Sequence, residues 1–211
     1  MFGKPSISDY YRSIANELHG AVLKEADEVI LNTPASELAH RYLSRHSLHK
    51  IEFEENQQNI RHERYVKRIG SHEREEFYRG QGDLDVECER IVGTFPIKEN
   101  HSIRDIAELD TSTISMSWST KELDISFNQL QFTIEIKGYG FDYTGDENRV
   151  ANMAQQAKSR MLEWIGYVNR DIEQSESSTL TQLQTAIEAR KNKMQEDSGR
   201  ISSLNDKLKA L

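Results

Sequence analysis

Asp124 and the tripeptide Glu135-Ile136-Lys137 are the side chains whose types and spacing best suit catalysis. An acid on one strand and Glu-x-Lys on the next can hold Mg²⁺ between the carboxylates. The lysine then steadies an attacking hydroxide or the phosphate charge. A two-residue hairpin turn at Asn128-Gln129 would place all three on one face of a sheet. That face is polar, where Asp, Glu and Lys belong in any half-buried sheet. No proline precedes Asp124 and no flanking catalytic helices are evident. The plainer reading is a solvated strand surface.

The other chemical residues are more dispersed. His40, His46 and His49 cluster in sequence near Glu52, with His62 and His72 farther on. A catalytic zinc site needs three convergent ligands, and this spacing does not force convergence. Polar histidines at a helix C-terminus are also favoured by its dipole. Arg61, Arg64, Lys67 and Arg68 surround Tyr65, as a nucleic-acid contact would require. Glu73, Glu75 and Glu76 follow and cancel much of that field. Gly80-x-Gly82 and Gly138-x-Gly140 lack the third glycine and the lysine of a phosphate loop. No Ser or Cys sits in a nucleophile elbow. Cys88 lies in an alternating strand pattern and reads as a buried filler.

The elements that would position these residues are legible in outline. Ser6, Ser8 and Asp9 open a helix whose face carries Tyr10, Ile14, Leu18, Val22, Val29 and Ile30. Asn32-Thr33-Pro34 ends it and starts a short second helix, with Thr33 as a cap and Pro34 in the first turn. Leu38, Tyr42 and Leu43 form the inner face of that helix, completing an N-terminal helical hairpin. Ile51-Glu52-Phe53 alternates like a short strand. The charge run 71–79 reads as a solvated segment, punctuated by Gly80-Gln81-Gly82.

The middle of the chain is β. Leu84, Val86 and Cys88 alternate with acids, and Ile91, Val92, Phe95 and Ile97 follow after an irregularity near Glu89-Arg90 or Gly93. Pro96 makes this an edge strand or a strand end. Ile114, Met116 and Trp118 alternate with hydroxyl residues. Leu123, Ile125 and Phe127 then face Ile134, Phe132 and Leu130 across the predicted turn, giving one greasy face that something must cover. The glycine-containing stretch 138–146 forms a loop. From Asn148 a broad helical stripe runs through Val150, Ala154, Ala157, Met161, Trp164, Ile165, Val168 and Ile172, wide enough to pack on the sheet or on the hairpin.

Residues 173–179 carry no apolar side chain, and a heptad pattern follows them. Leu180, Leu183, Ile187, Arg190, Met194, Asp197, Ile201, Leu204, Leu208 and Leu211 fall at alternating spacings of three and four. That is the a/d seam of a helix that needs a partner. Residues 173–179 are a stutter or a turn, and the lack of Gly and Pro favours a continuous or kinked helix. Gly199 costs about 1 kcal/mol relative to alanine and is a candidate break. The seam partner is the chain itself, a second copy or another protein. Arg190 and Asp197 set register or pair across an antiparallel contact.

The whole chain has 211 residues and a net charge of −8, with a pI near 5.4. That length allows one domain with a helical extension, or two small ones. Net acidity disfavours a dedicated nucleic-acid binder. One cysteine excludes an intrachain disulfide and a cysteine-based zinc cluster. No apolar run approaches the roughly 18 residues of a membrane span, and the first residues show no signal pattern. A cytoplasmic location is expected, with no cofactor, no metal and no membrane partner.

The order of parts, with Gly93-Thr94-Phe95-Pro96-Ile97, Leu130-Gln131-Phe132, Val168-Asn169 and Ile187-Glu188-Ala189-Arg190-Lys191, resembles the N-terminal region of uncharacterised bacterial multidomain proteins. In these a helical stalk leads into an effector, such as a TIR-like or nuclease domain, in antiviral defence. The resemblance covers roughly residues 84–211. It implies a scaffold or sensor module and carries over no catalytic residue.

The expectation is an α+β chain. Residues 1–147 would form the hairpin and a small antiparallel sheet, and 148–211 a long helical arm of coiled-coil type. Its expected function is non-enzymatic association through the seam. The alternative is a metal-dependent nuclease using Asp124, Glu135 and Lys137.

Overall fold

The computed structural model describes residues 4–54, 58–70, 82–110, 123–126, 129–137 and 147–209. The element order is α1 (Ile7–Lys24), α2 (Asp27–Asn32), α3 (Ala35–Leu43), β1 (Asn59–Ile69), β2 (Leu84–Pro96), α4 (Ile103–Ala107), β3 (Leu123–Ser126), β4 (Gln129–Lys137) and α5 (Glu147–Lys209). The class is α+β. The predicted strand around Ile114, Met116 and Trp118, the 71–79 run, the turn position Asn128, the 138–146 loop and Leu211 lie outside the described residues.

Two compact units emerge, and their division does not follow the expected 1–147 and 148–211 boundary. One comprises Met1–His49, Glu108–Thr113 and Asn169–Leu211; the other comprises Lys50–Ala107 and Ile114–Val168. The division therefore runs through α5. The physical reason lies in that helix's long buried stripe. Ala157, Met161, Ile165 and Val168 are buried in the sheet unit, whereas Ile172, Leu183 and Ile187 are buried in the helical unit.

In the helical unit α1 begins with a full capping box. Ser6 Oγ accepts the Asp9 N–H at 3.0 Å, and the Asp9 carboxylate accepts the Ser6 N–H at 3.2 Å. Two N–H groups that the first turn leaves open are thereby satisfied. Ile7, Tyr11, Ile14, Leu18 and Val22 bury one face. The predicted single helix to Ile30 is instead two. The chain turns extended at Glu25 (φ −63°, ψ 150°) and restarts as α2. Its local pattern is helical throughout, and long-range contacts described below meet the chain at the break. Pro34 sits just before α3 rather than in its first turn, and Thr33 ends α2. Tyr10 donates its hydroxyl proton to the His46 carbonyl at 3.0 Å, and the Leu48 N–H donates to Tyr11 Oη at 3.0 Å. The α3 exit is thereby tied to α1. Burial pushes the Tyr11 phenol up to about 12.

In the sheet unit four strands run in the order β1-β2-β4-β3, all neighbours antiparallel. β2 is central, so Pro96 marks its end rather than an edge. The expected irregularity at Glu89-Arg90 or Gly93 is absent, because β2 pairs continuously with β1 from Ile69↔Leu84 to Asn59↔Thr94. Consecutive burial of Cys88 and Glu89 has another cause: side chains on both faces of the strand are covered. Val86 and Cys88 pack with Ile69 and Tyr65. On the opposite face Glu89 and Ile91, with Ile60 of β1, border a groove of about 260 Å³ shared with Val150 and Ala154 of α5. The first part of α5 thus lies beside β1 and β2 on that face. Phe53 bridges to Ile97 and tilts its ring against Phe95 at 6.1 Å. The short α4, unforeseen in the sequence, follows an Asn100 side chain that accepts from Ser102 N–H at 3.0 Å and buries Ile103 and Ile106.

α5 is one helix of 63 residues. It passes through 173–179 without a turn and through Gly199 without a break. A lone glycine costs only about 1 kcal/mol, which a long helix absorbs. Ser175, Ser178 and Thr179, together with Ser8, Tyr11 and Asp171, line a polar cavity of about 320 Å³. The polar stretch therefore faces hydroxyl and carboxylate partners rather than water alone.

Candidate association surface

The heptad stripe of α5 begins inside the core of the helical unit. Leu183 and Ile187 are fully buried, while Leu180 is only half-buried and Thr179 takes the buried place beside it. The phase adjustment predicted before residue 180 is thus made within a continuous helix, by moving the buried position one residue back. The sequence pattern alone favoured Leu180, because leucine at that spacing outweighs threonine.

Arg190 closes this buried part. Its guanidinium donates to the Val22 carbonyl, to the Glu25 carbonyl at 2.7 Å and to Asp27 Oδ1 at 2.7 Å. Val22 and Glu25 are at the C-terminus of α1, where the Val22 carbonyl also accepts the Glu25 N–H at 3.4 Å and the dipole favours a cation. Asp27 opens α2. One side chain therefore holds both ends of the break, and a planar fork suits several acceptors at once. Glu25 is fixed from the other side by Tyr42, whose hydroxyl donates to Glu25 Oε2. That hydrogen bond holds the Glu25 carboxyl below the usual carboxylate range. Burial, and then the Glu25 hydrogen bond, raise the Tyr42 phenol to about 12. A seam arginine reads in sequence as a register device for a partner helix; here its acceptors lie in its own chain, more than 160 positions away.

Beyond Arg190 the stripe opens. Met194 is half-buried, Asp197 is exposed, and Ile201, Leu204 and Leu208 are 60%, 50% and 65% exposed. Every residue from 195 to 209 is exposed. The same apolar spacing thus continues for several turns with nothing from the described residues packed on it.

The catalytic alternative fares differently at the level of register. Asp124 stands opposite Gln131, because β3 pairs Ser126 with Gln129, Ile125 with Leu130 and Leu123 with Phe132. The predicted pairing put Ile125 opposite Phe132. The observed register is shifted by two residues, one full strand period. It moves Asp124 farther from Glu135, which lies four residues beyond Gln131, on the order of 13 Å along the strand at about 3.3 Å per residue. Glu135 pairs with Arg90 and Lys137 with Cys88. The side chains of Asp124, Glu135 and Lys137 lie outside the described residues.

The basic cluster of β1 is largely matched within its own sheet. Arg61 lies 3.2 Å from Glu63, Arg64 3.0 Å from Glu89 and Arg68 3.4 Å from Asp83. Arg90 pairs with Glu63 and stacks over Tyr65 at 5.5 Å. Sequence reasoning missed Glu89, which is 1% exposed and also faces His62 Nε2 at 3.3 Å. An acid in an alternating strand reads as outward-facing, and only the pairing with Arg64 across the ladder reveals otherwise. Cys88 is buried, as its strand pattern implied. Among the described residues no cluster of three or more His, Cys, Asp or Glu has the geometry to hold a metal, and no helix is long and apolar enough to cross a membrane.

The chain matches no family model, and neither a curated protein nor a solved structure is significantly similar to it.

Proposed function

We propose that this protein is a non-enzymatic association module. Its helical unit roots a helix, and the distal stripe of that helix docks against a helix from another polypeptide, a second copy or a distinct protein. The observation that carries this reading is the exposure of Ile201, Leu204 and Leu208 on a seam whose earlier members are buried. A narrow a/d stripe left in water is what a helical partner covers. The resemblance of the parts to the N-terminal regions of uncharacterised bacterial multidomain proteins, noted from the sequence, implies a scaffold or sensor role.

The test uses the triple variant Ile201→Ser, Leu204→Ser, Leu208→Ser. Solution mass by light scattering is measured together with binding of a neutral-flanked helical peptide carrying a leucine seam. The unaltered chain should bind the peptide or itself at micromolar concentration. The variant should lose that binding while its thermal midpoint stays unchanged. Association that survives the triple change, or none by the unaltered chain at 100 µM, overturns the proposal. Truncation belongs after Met194, since Leu183, Ile187 and Arg190 are part of the folded core.

A further inference from the structure

We infer that the occupant of the distal stripe is an amphipathic helix of a different protein with acidic flanks, not a second copy of this chain. The inference rests on the stripe being a docking seam, as proposed above. With Ile187, Ile201 and Leu208 at a and Leu183 and Leu204 at d, the g positions beside the open stripe are Lys193, Arg200 and Lys207, all exposed. The e positions are Lys191, Ser198 and Asn205. No acid borders the stripe; Glu196 and Asp206 fall at outer positions. Residues 190–211 hold six basic and three acidic side chains, a net of +3 in a chain whose total is −8.

That arrangement disfavours self-pairing in either sense. Antiparallel helices bring g against g, so the row Lys193, Arg200, Lys207 would meet itself. Parallel helices in register bring Asp197 against Asp197 inside the seam, and leave the basic row facing Ser198 and Asn205 of the other copy. Like charges across a helical seam select against a pairing, and opposite charges at e and g select for one. A helix with glutamates opposite Lys193, Arg200 and Lys207, and a basic residue opposite Asp197, satisfies the whole g row and the one charge inside the open seam. A lipid surface fits less well. Asp197 interrupts the apolar stripe, and the open segment carries no aromatic side chain of the kind that anchors interfacial helices.

The experiment presents the full chain with three labelled peptides of three heptads. All share one leucine-isoleucine seam, and their flanks carry Glu, Gln or Lys. In about 50 mM salt the Glu peptide should bind about tenfold more tightly than the Gln peptide, and the Lys peptide more weakly than either. The differences should collapse near 1 M salt, where the screening length is about 3 Å. The triple reversal Lys193→Glu, Arg200→Glu, Lys207→Glu should invert the order. Equal binding of all three peptides overturns the inference while leaving the docking seam intact. So does a stable homodimer, or binding to phosphatidylserine vesicles that the charge reversal abolishes when no peptide binds. A monomeric chain that binds no peptide overturns the docking seam itself.

Discussion

Ile187 and Ile201 hold the same heptad position on one helix, two heptads apart, and meet opposite surroundings. Ile187 is 0% exposed and Ile201 is 60% exposed. Residue type, spacing and local conformation are identical, so none of these decides burial. What decides it is the reach of the rest of the helical unit, which ends where Arg190 grips the C-terminus of α1 and the start of α2. The contrast separates two uses of one periodic signal: a fold-building seam up to Arg190 and an open one beyond it.

Ile187→Ala gives the largest expected effect. Deleting a fully buried isoleucine side chain costs about 3 kcal/mol through lost transfer energy and a cavity. Ile201→Ala should stay within about 0.5 kcal/mol, as exposed changes do. Denaturant unfolding of the two variants measures the contrast directly, and equal losses would erase it. Arg190→Met comes next. It keeps the stem and removes the donors to the Val22 and Glu25 carbonyls, at a cost of about 2 kcal/mol. Arg190→Lys should recover less than half, because one ammonium cannot span acceptors on both sides of the helix break. Full rescue by lysine would reduce the clamp to a simple charge effect.

Tyr42→Phe should cost less than either Arg190 variant, and its cost should depend on pH. The folded state holds the Glu25 carboxyl below its ordinary value of 4.5. That contribution is therefore fully present above 4.5 and fades as pH falls through the lowered value. The Tyr42 phenol is raised from 10.0 to about 12, so its contribution is present below pH 10 and is lost as pH rises through about 12. Stability difference plotted against pH should show a plateau with these two edges, and a flat profile would show that the pair contributes nothing. Gly199→Ala is the mildest change. No atom lies within 4 Å of an added Cβ there. The substitution should strengthen the open segment by about 1 kcal/mol, slowing hydrogen exchange in 195–209 and leaving the global midpoint unchanged.

Much of this architecture was legible because it is periodic. The α1 face, the β2 alternation and the long α5 stripe each write a burial direction into residue spacing. Spacing names a face and leaves its occupant unstated, which is why the halves on either side of Arg190 looked alike. The Glu25 break leaves no mark in the residue spacing, and the Arg190 side chain that grips it lies more than 160 residues away. Glu89 was hidden because β1, its partner strand, has charged residues at five of its eleven positions and shows little apolar alternation. The hairpin of β3 and β4 was found but offset by two residues, an error the greasy-face pattern cannot detect because both registers satisfy it. The same offset decides how far Asp124 stands from Glu135, so the candidate catalytic site depended on the one quantity that alternation leaves free.

The anchored turn at Arg190 also changes the thermodynamics of whatever meets the distal segment. Residues 195–209 would be marginal as a free helix, being near the length of about 12–15 residues below which isolated helices scarcely form. Starting a helix from coil carries a nucleation factor of roughly 10⁻³, equivalent to about 4 kcal/mol. Here the folded unit supplies the nucleus, and the segment needs only propagation from a turn already in place. A detached peptide of identical sequence would therefore bind the same partner more weakly, by an amount set by helix initiation rather than by any contact in the interface.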